Sequence, residues 1–391
     1  MESMISSRSK KITGGEVFVM KDLASQYDDV INFGVGDPQF DTPPSIVEAA
    51  CQAAAAGKTH YTTYAGLPRL REGIADKLER ENGIKADPRQ EILVTMGAIE
   101  ALLATLLAVV NPGEEVILQD PSWVNYAPQI HLAGGLPVWV PVKEEDGFQL
   151  RAREVEKRIS SRTKVIMINT PNNPTGAVLD PEELLRLGQL ARKNNLLIIL
   201  DETYERLVYE EEHFSLASCE ELKEHVVSIF SFSKTQAMTG WRVGYAVGHP
   251  LLIAEMTDIH GNIGLSTCTI SQYAALAALE AEEEIQEMLA IYRQNRELLT
   301  TRINEIPGFS ALPPGGSFYC FVNCSRLGEN SSTVARQILD RVQVVTVPGS
   351  AFGRAGEGYL RFSFVNSPQV MEEGLKRISD FAEGKLKDVT D

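Results

Sequence analysis

Through its middle the chain alternates short, β-rich apolar runs with stretches whose apolar residues recur at helical spacing. Such alternation predicts parallel strands joined by crossover helices, and so a doubly wound α/β domain. Strands are expected at 91–95, 115–118, 137–142, 164–169, 196–200, 226–230 and 243–247. Helices are expected at 99–109, apolar nearly all round and therefore buried, and at 181–194, where Asp180 is the N-cap and Pro181 the first helical residue. From about 280 the texture changes to a long charged helical stretch, 280–306. Strands at 317–323, 342–347 and 359–365 follow among Gly and Pro turns, and an amphipathic helix at 370–381 comes last. The expected organisation is a large α/β domain over 46–280, with a mostly parallel sheet, and a smaller α+β domain built from 1–45 and 281–391. Neither an internal repeat nor a low-complexity linker breaks the chain.

Composition narrows the function classes. The chain has 391 residues, 43% of them apolar and 23% charged, the balance of an ordinary globular protein. Lys plus Arg number 37 against 53 Asp plus Glu, a net charge of −16, which disfavours nonspecific binding to nucleic acid or to an anionic membrane. Any anionic ligand must meet local positive charge. Cys51, Cys219, Cys268, Cys320 and Cys324 are scattered without a C-x-x-C pair, which fits free thiols in a reduced, cytoplasmic protein. The opening MESMISSRSKKITGG has no apolar core behind its basic residues and does not read as a secretory leader. The longest mostly apolar stretch, 98–110, contains Glu100 and falls short of the ~20 residues that span a bilayer. The histidines lack close metal-ligand spacing, so no metal is expected; Gly34-Val35-Gly36 lacks the third glycine of a dinucleotide fingerprint.

In an open α/β sheet, ligands bind outside the carboxyl ends of the strands. There the chain places Gly97-Ala98-Ile99, Asp120-Pro121-Ser122-Trp123, Asn172-Asn173-Pro174-Thr175-Gly176, Asp201-Glu202-Thr203-Tyr204 and Ser231-Phe232-Ser233-Lys234. Taken singly, each has a plain structural explanation: a turn, an N-cap, a packing aromatic, a solvated lysine. Taken together, they put a helix N-terminus, an aromatic, an amide, a carboxylate, a phenol, hydroxyls and a lysine in one crevice.

The joint pattern resembles the class I and II aminotransferases of pyridoxal-phosphate fold type I over nearly the whole chain. Ser231-Phe-Ser-Lys234-Thr-Gln-Ala-Met-Thr-Gly-Trp-Arg242-Val-Gly-Tyr245 is similar to the family's lysine signature. Gly36-Asp37-Pro38, Tyr61-Thr-Thr-Tyr64-Ala-Gly66, the Asn173-Pro-Thr-Gly turn, Asp201-Glu-Thr-Tyr204, Gly316-Ser-Phe-Tyr319 and Arg361 fall in the right order around it. The resemblance implies pyridoxal 5′-phosphate as cofactor and amino acids and 2-oxo acids as substrates, exchanged by a ping-pong mechanism. It implies that Lys234 forms the internal aldimine with the cofactor and then shuttles the substrate's α-proton. Asp201 would pair with the pyridine nitrogen, Asn173 and Tyr204 would bind the ring hydroxyl oxygen, and Trp123 would stack on the ring. The phosphate would meet the Gly97-Ala98-Ile99 helix start, Ser231, Ser233 and Arg242. Tyr61 matches the tyrosine that the neighbouring subunit contributes to this cup, with Tyr64 a second candidate, which implies a homodimer with shared sites. Arg361 would fork the substrate α-carboxylate, assisted by Asn173 and the backbone at Gly36.

Ile99 departs from relatives that carry a polar residue there, including bacterial aspartate enzymes with a lysine. An apolar side chain at that place favours an apolar or aromatic substrate over aspartate, because a carboxylate against it would lose hydration without compensation. The stretch 348–359 is also similar to broad-specificity and aromatic aminotransferases. The segment 12–20 is expected to fold over the site, with Gly14-Gly15 as either hinge or plain turn. Two other functions compete: a C–S lyase or decarboxylase on the same scaffold, and an effector-sensing regulator. The regulator reading is disfavoured because the about thirty residues before Asn32 are too few for a DNA-binding domain.

Overall fold

The computed structural model describes residues 4, 6, 9–12, 16–210 and 212–390, and the Gly14-Gly15 pair lies outside them. Seven strands make one sheet in the order Ile92–Thr95, Gly244–Val247, Val226–Ser231, Leu197–Asp201, Thr163–Asn169, Glu115–Asp120 and Leu136–Pro141. Its neighbouring strands are parallel except where Gly244–Val247 meets its two partners. That exception follows from the connection before it, which holds the short turn Thr239–Trp241 and no crossover helix, so the chain doubles back.

The central strands are buried along nearly their whole length, as the continuous apolar runs require once helices cover both faces. The helix Ala98–Val109 lies under the sheet, with Ala101, Leu102, Ala104 and Leu106 fully buried. The helix Pro181–Lys193 starts as expected: the Asp180 carboxylate accepts the Glu182 amide at 2.8 Å. Register brings the chemistry together. Asn169 pairs with Asp201, and Gly244 lies opposite both Thr95 and Ser231, which sets the start of the Ala98 helix beside Ser231.

A second sheet, antiparallel, runs in the order Val347–Pro348, Tyr359–Ser363, Tyr319–Asn323 and Ser310–Ala311. It packs with the helices Glu282–Glu305, Ser331–Val342 and Pro368–Thr390 around Phe318, Tyr319, Phe362 and Phe364. The expected single strand at 342–347 is not formed. Val342 ends a helix, Gln343 turns left-handed at φ 52°, and the valines beyond it divide between two sheets. Val344–Val345 pairs parallel with Ile31–Asn32, whereas Val347–Pro348 joins the antiparallel sheet. The strand expected from 317 begins at Tyr319, because Ser317 sits at φ 58°, and the one expected to reach 365 stops at Ser363. The last helix runs well beyond 381, to Thr390. Among the described residues, no helix is long and apolar enough to cross a membrane.

Candidate active site

A cavity of about 430 Å³ opens at the carboxyl ends of the large sheet and reaches the second sheet through Tyr319, Val347 and Arg361, with Val345 of the short parallel pair beside them. Gly36, Ala98, Ile99, Trp123, Asn173, Asp201, Tyr204, Ser231, Ser233, Lys234, Arg242 and Arg361 line it, all of them expected at the site from the sequence. Gly97, the N-cap before Ala98, is not among the lining residues.

Lys234 is carried on the loop after the Val226–Ser231 strand, and its Nζ donates to the Gly36 carbonyl at 2.6 Å. Burial pulls its ammonium below the usual lysine range, which favours the neutral amine. Asp201 ends its strand with a carboxylate that accepts from the Tyr126 hydroxyl at 2.7 Å and the Thr203 amide at 3.1 Å. Both donors are neutral. Burial pushes its carboxyl up despite these bonds. The Tyr204 phenol is raised well above its ordinary value, first by burial and then by the neighbouring Tyr319, whose hydroxyl lies 3.4 Å away.

At the other end of the cavity, Ala98 and Ile99 occupy the first helical turn, where amides have no intrahelical acceptor. Arg242 folds over this turn from a left-handed backbone, φ 56°. A side chain on Gly97 would bring Cβ to 2.6 Å from the Arg242 guanidinium, and one on Gly244 to 2.6 Å from the Ala98 nitrogen, so glycine is what permits the close approach. Ser231 Oγ accepts the Ser233 amide at 3.1 Å.

Arg361 is buried and held in one plane. Its Nη1 donates to Asn173 Oδ1 at 3.0 Å and its Nη2 to the Gly34 carbonyl at 2.7 Å. The guanidinium carbon lies 4.2 Å from the Tyr319 ring centroid and 4.8 Å from that of Phe352. The Gly34 carbonyl thus gives Arg361 its backbone partner, and the Gly36 carbonyl faces Lys234. The Nε of Arg361 is buried without a partner among the described residues.

Trp123 packs edge-on against Tyr126, ring centroids 5.3 Å apart. Met20, in the helix Glu16–Ala24, also lines the cavity, so the last residue of the segment 12–20 expected to cover the site does reach it. Tyr61 does not line this cavity and is 80% exposed; Tyr64 is 46% exposed. Tyr126 and Tyr319 were absent from the sequence-derived site. Tyr319 stood inside a matched stretch, while Tyr126 had only its place three residues after Trp123 to mark it.

Comparison with known proteins places this geometry. The family description "Aminotransferase class I and II" matches residues 28–378. The chain is 40% identical over 378 residues to an aspartate aminotransferase of Pyrococcus abyssi, covering 96% of this chain and 97% of the relative. It is 38% identical over 378 residues to the aromatic-amino-acid aminotransferase 2 of Thermococcus litoralis, with the same shares covered. A solved aromatic aminotransferase from Pyrococcus horikoshii superposes with a TM-score of 0.90 at 39% identity, covering 94% of this chain and 99% of that one.

Proposed function

The chain belongs to the class I and II aminotransferases, and on that premise we propose that it holds pyridoxal 5′-phosphate against Lys234 and aminates 2-oxo acids from L-amino acids with apolar or aromatic side chains. The observation that carries the cofactor reading is the buried Asp201 carboxylate, which has neutral donors on it and, among the described residues, no cationic side chain bonded to it. A protonated pyridine nitrogen beside it would favour the ionised carboxylate and reverse the upward push of burial. The rest of the cavity fits the same group. The Ala98 and Ile99 amides, Ser231, Ser233 and Arg242 make an anion site in an otherwise acidic protein, and Trp123 offers a flat face.

Pyridoxal phosphate supplies the aldehyde that takes up the amino group and a ring that draws off the electrons of the broken Cα–H bond. The chain's residues do the remainder. Lys234, favoured as a neutral amine by burial, removes the Cα proton and returns it. Asp201 would keep the ring nitrogen protonated, with Tyr126 and Thr203 holding Asp201. Tyr204 and Asn173, both on the cavity wall, would bind the ring hydroxyl oxygen. Arg361, its plane set by Tyr319, Phe352, Asn173 and Gly34, receives the substrate carboxylate. Val35, Ile99, Leu102, Val124 and Val347 give the cavity an apolar wall, which supports the apolar or aromatic side chain.

Tyr61 is assigned to the phosphate site of a second copy, in a homodimer; its exposure outside its own cavity supports this. The division into a large domain, 46–280, and a small one formed by 1–45 and 281–391 is supported by the two larger sheets, the seven-stranded one with strands drawn from 92–247 and the antiparallel one with strands drawn from 310–363. The test is reconstitution with pyridoxal phosphate, then titration with phenylalanine, tyrosine, aspartate, glutamate and alanine while the visible spectrum is followed. The expected result is loss of the cofactor's visible band at lower concentrations of phenylalanine or tyrosine than of aspartate. A protein that takes up no cofactor overturns the reading, and a stronger response to aspartate overturns the substrate preference.

A further inference from the structure

Behind the phosphate end of the cavity lies a buried ionisable pair that the reaction above does not use. Glu100 is the third residue of the helix Ala98–Val109, and its Oε2 accepts the Met96 amide at 2.7 Å, closing the helix start from the inside. Its Oε1 accepts from Nδ1 of His260 at 2.6 Å. Glu100 is 7% exposed and His260 not at all, and the Nε2 of His260 has no partner among the described residues, so Glu100 alone orients the ring.

His260 belongs to the helix Pro250–Gly264, and the same turn of that helix makes two more close approaches. A Cβ on Gly261 would come within 2.4 Å of the Tyr64 ring, and one on Gly264 within 2.6 Å of the Met96 side chain. The last turns of this helix thus brace both the turn that carries Ala98 and Ile99 and the segment that carries Tyr61 and Tyr64. A buried carboxylate–imidazole pair is a costly brace, since well-packed apolar residues commonly stabilise a core as well or better. What it provides that apolar packing does not is a directed bond onto one carboxylate, and through it onto the Met96 amide.

We propose that His260 is a positioning residue for the phosphate end of the site, holding Glu100 so that the first turn of the Ala98 helix stands rigidly against the cavity. The proposal rests on the cofactor reading given above. It assigns His260 no contact with cofactor or substrate.

The test compares wild type with His260→Asn, which keeps a donor near the Nδ1 place, and His260→Gln, which moves it toward the Nε2 place. Dissociation constants are measured spectroscopically for pyridoxal 5′-phosphate and for pyridoxal, which lacks the phosphate, and the melting temperature of each cofactor-free protein is recorded. Loss of a directed bond to a buried carboxylate is expected to weaken pyridoxal phosphate binding by about tenfold in His260→Gln, and by less than about threefold in His260→Asn. Pyridoxal binding is expected to stay unchanged in both. Equal weakening of both ligands, or a lowered melting temperature with unchanged phosphate-dependent binding, overturns the proposal by making His260 merely structural. Failure of the wild type to bind pyridoxal phosphate overturns the cofactor reading itself, and this inference with it.

Discussion

Tyr126 donates from a fully buried hydroxyl to Oδ2 of Asp201 at 2.7 Å, across 75 positions of chain. The bond joins the Glu115–Asp120 and Leu197–Asp201 connections at the point where a ring nitrogen would meet the carboxylate. Because it stabilises the ionised form, its removal raises the Asp201 carboxyl further. Hydrogen bonds to charged groups contribute about 1.5–3 kcal/mol, so Tyr126→Phe is expected to lower kcat/KM by roughly 10- to 100-fold. The spectral pH titration of the bound cofactor should shift in the same variant, whereas a purely structural loss would leave that titration in place.

The buried Asp201 carboxyl makes the cofactor-free protein less stable than it could be. Asp201 is raised by burial, so the folded state holds a proton that the unfolded chain releases, and its cost appears as pH rises through the unfolded pKa and is complete above the folded one. Asp201→Asn should therefore raise the melting temperature of cofactor-free protein at neutral pH. That gain should disappear as pH falls below the ordinary aspartate range. A gain that persists at low pH would contradict the assignment.

Arg361→Lys removes the planar fork while keeping a charge. It leaves Asn173 Oδ1 and the Gly34 carbonyl without both of their present donors and gives up the flat face between Tyr319 and Phe352. The expected change is a rise in KM for the amino acid of roughly 10- to 100-fold. Tyr319→Phe, which keeps the ring, should leave KM within about threefold, while Tyr319→Leu should move it toward the Arg361→Lys value.

Ile99, 37% exposed, lines the cavity wall, and on the proposed reading it faces the substrate side chain. Ile99→Lys should raise the kcat/KM ratio of aspartate over phenylalanine by about tenfold or more, through gain for one and loss for the other. An unchanged ratio would remove Ile99 from the specificity wall.

What could be read in advance was local. Asn169, Asp201 and Ser231 each end an apolar run, and parallel strands put such ends on one edge, so their meeting followed from alternation alone. The reversal at Gly244–Val247 was not legible, since a strand's direction depends on its connection and the apolar run is the same either way. Partnerships between distant positions were also hidden. Tyr126 with Asp201, Tyr319 with Arg361, and Glu100 with His260, 160 positions apart, involve residues whose types suit a core equally well. Gly34 and Gly36 are two residues apart on one extended stretch, and only the fold shows which carbonyl faces arginine and which faces lysine.

The most direct test of the central claim is a single turnover without an acceptor. Reconstituted protein is mixed with excess L-phenylalanine, and both the 2-oxo acid and free ammonia are measured per site. The account predicts one equivalent of 2-oxo acid, no ammonia, and a rate at least about 10³-fold lower in Lys234→Ala. Continued release of ammonia over many turnovers, or no 2-oxo acid from phenylalanine, tyrosine, aspartate, glutamate or alanine, would contradict it.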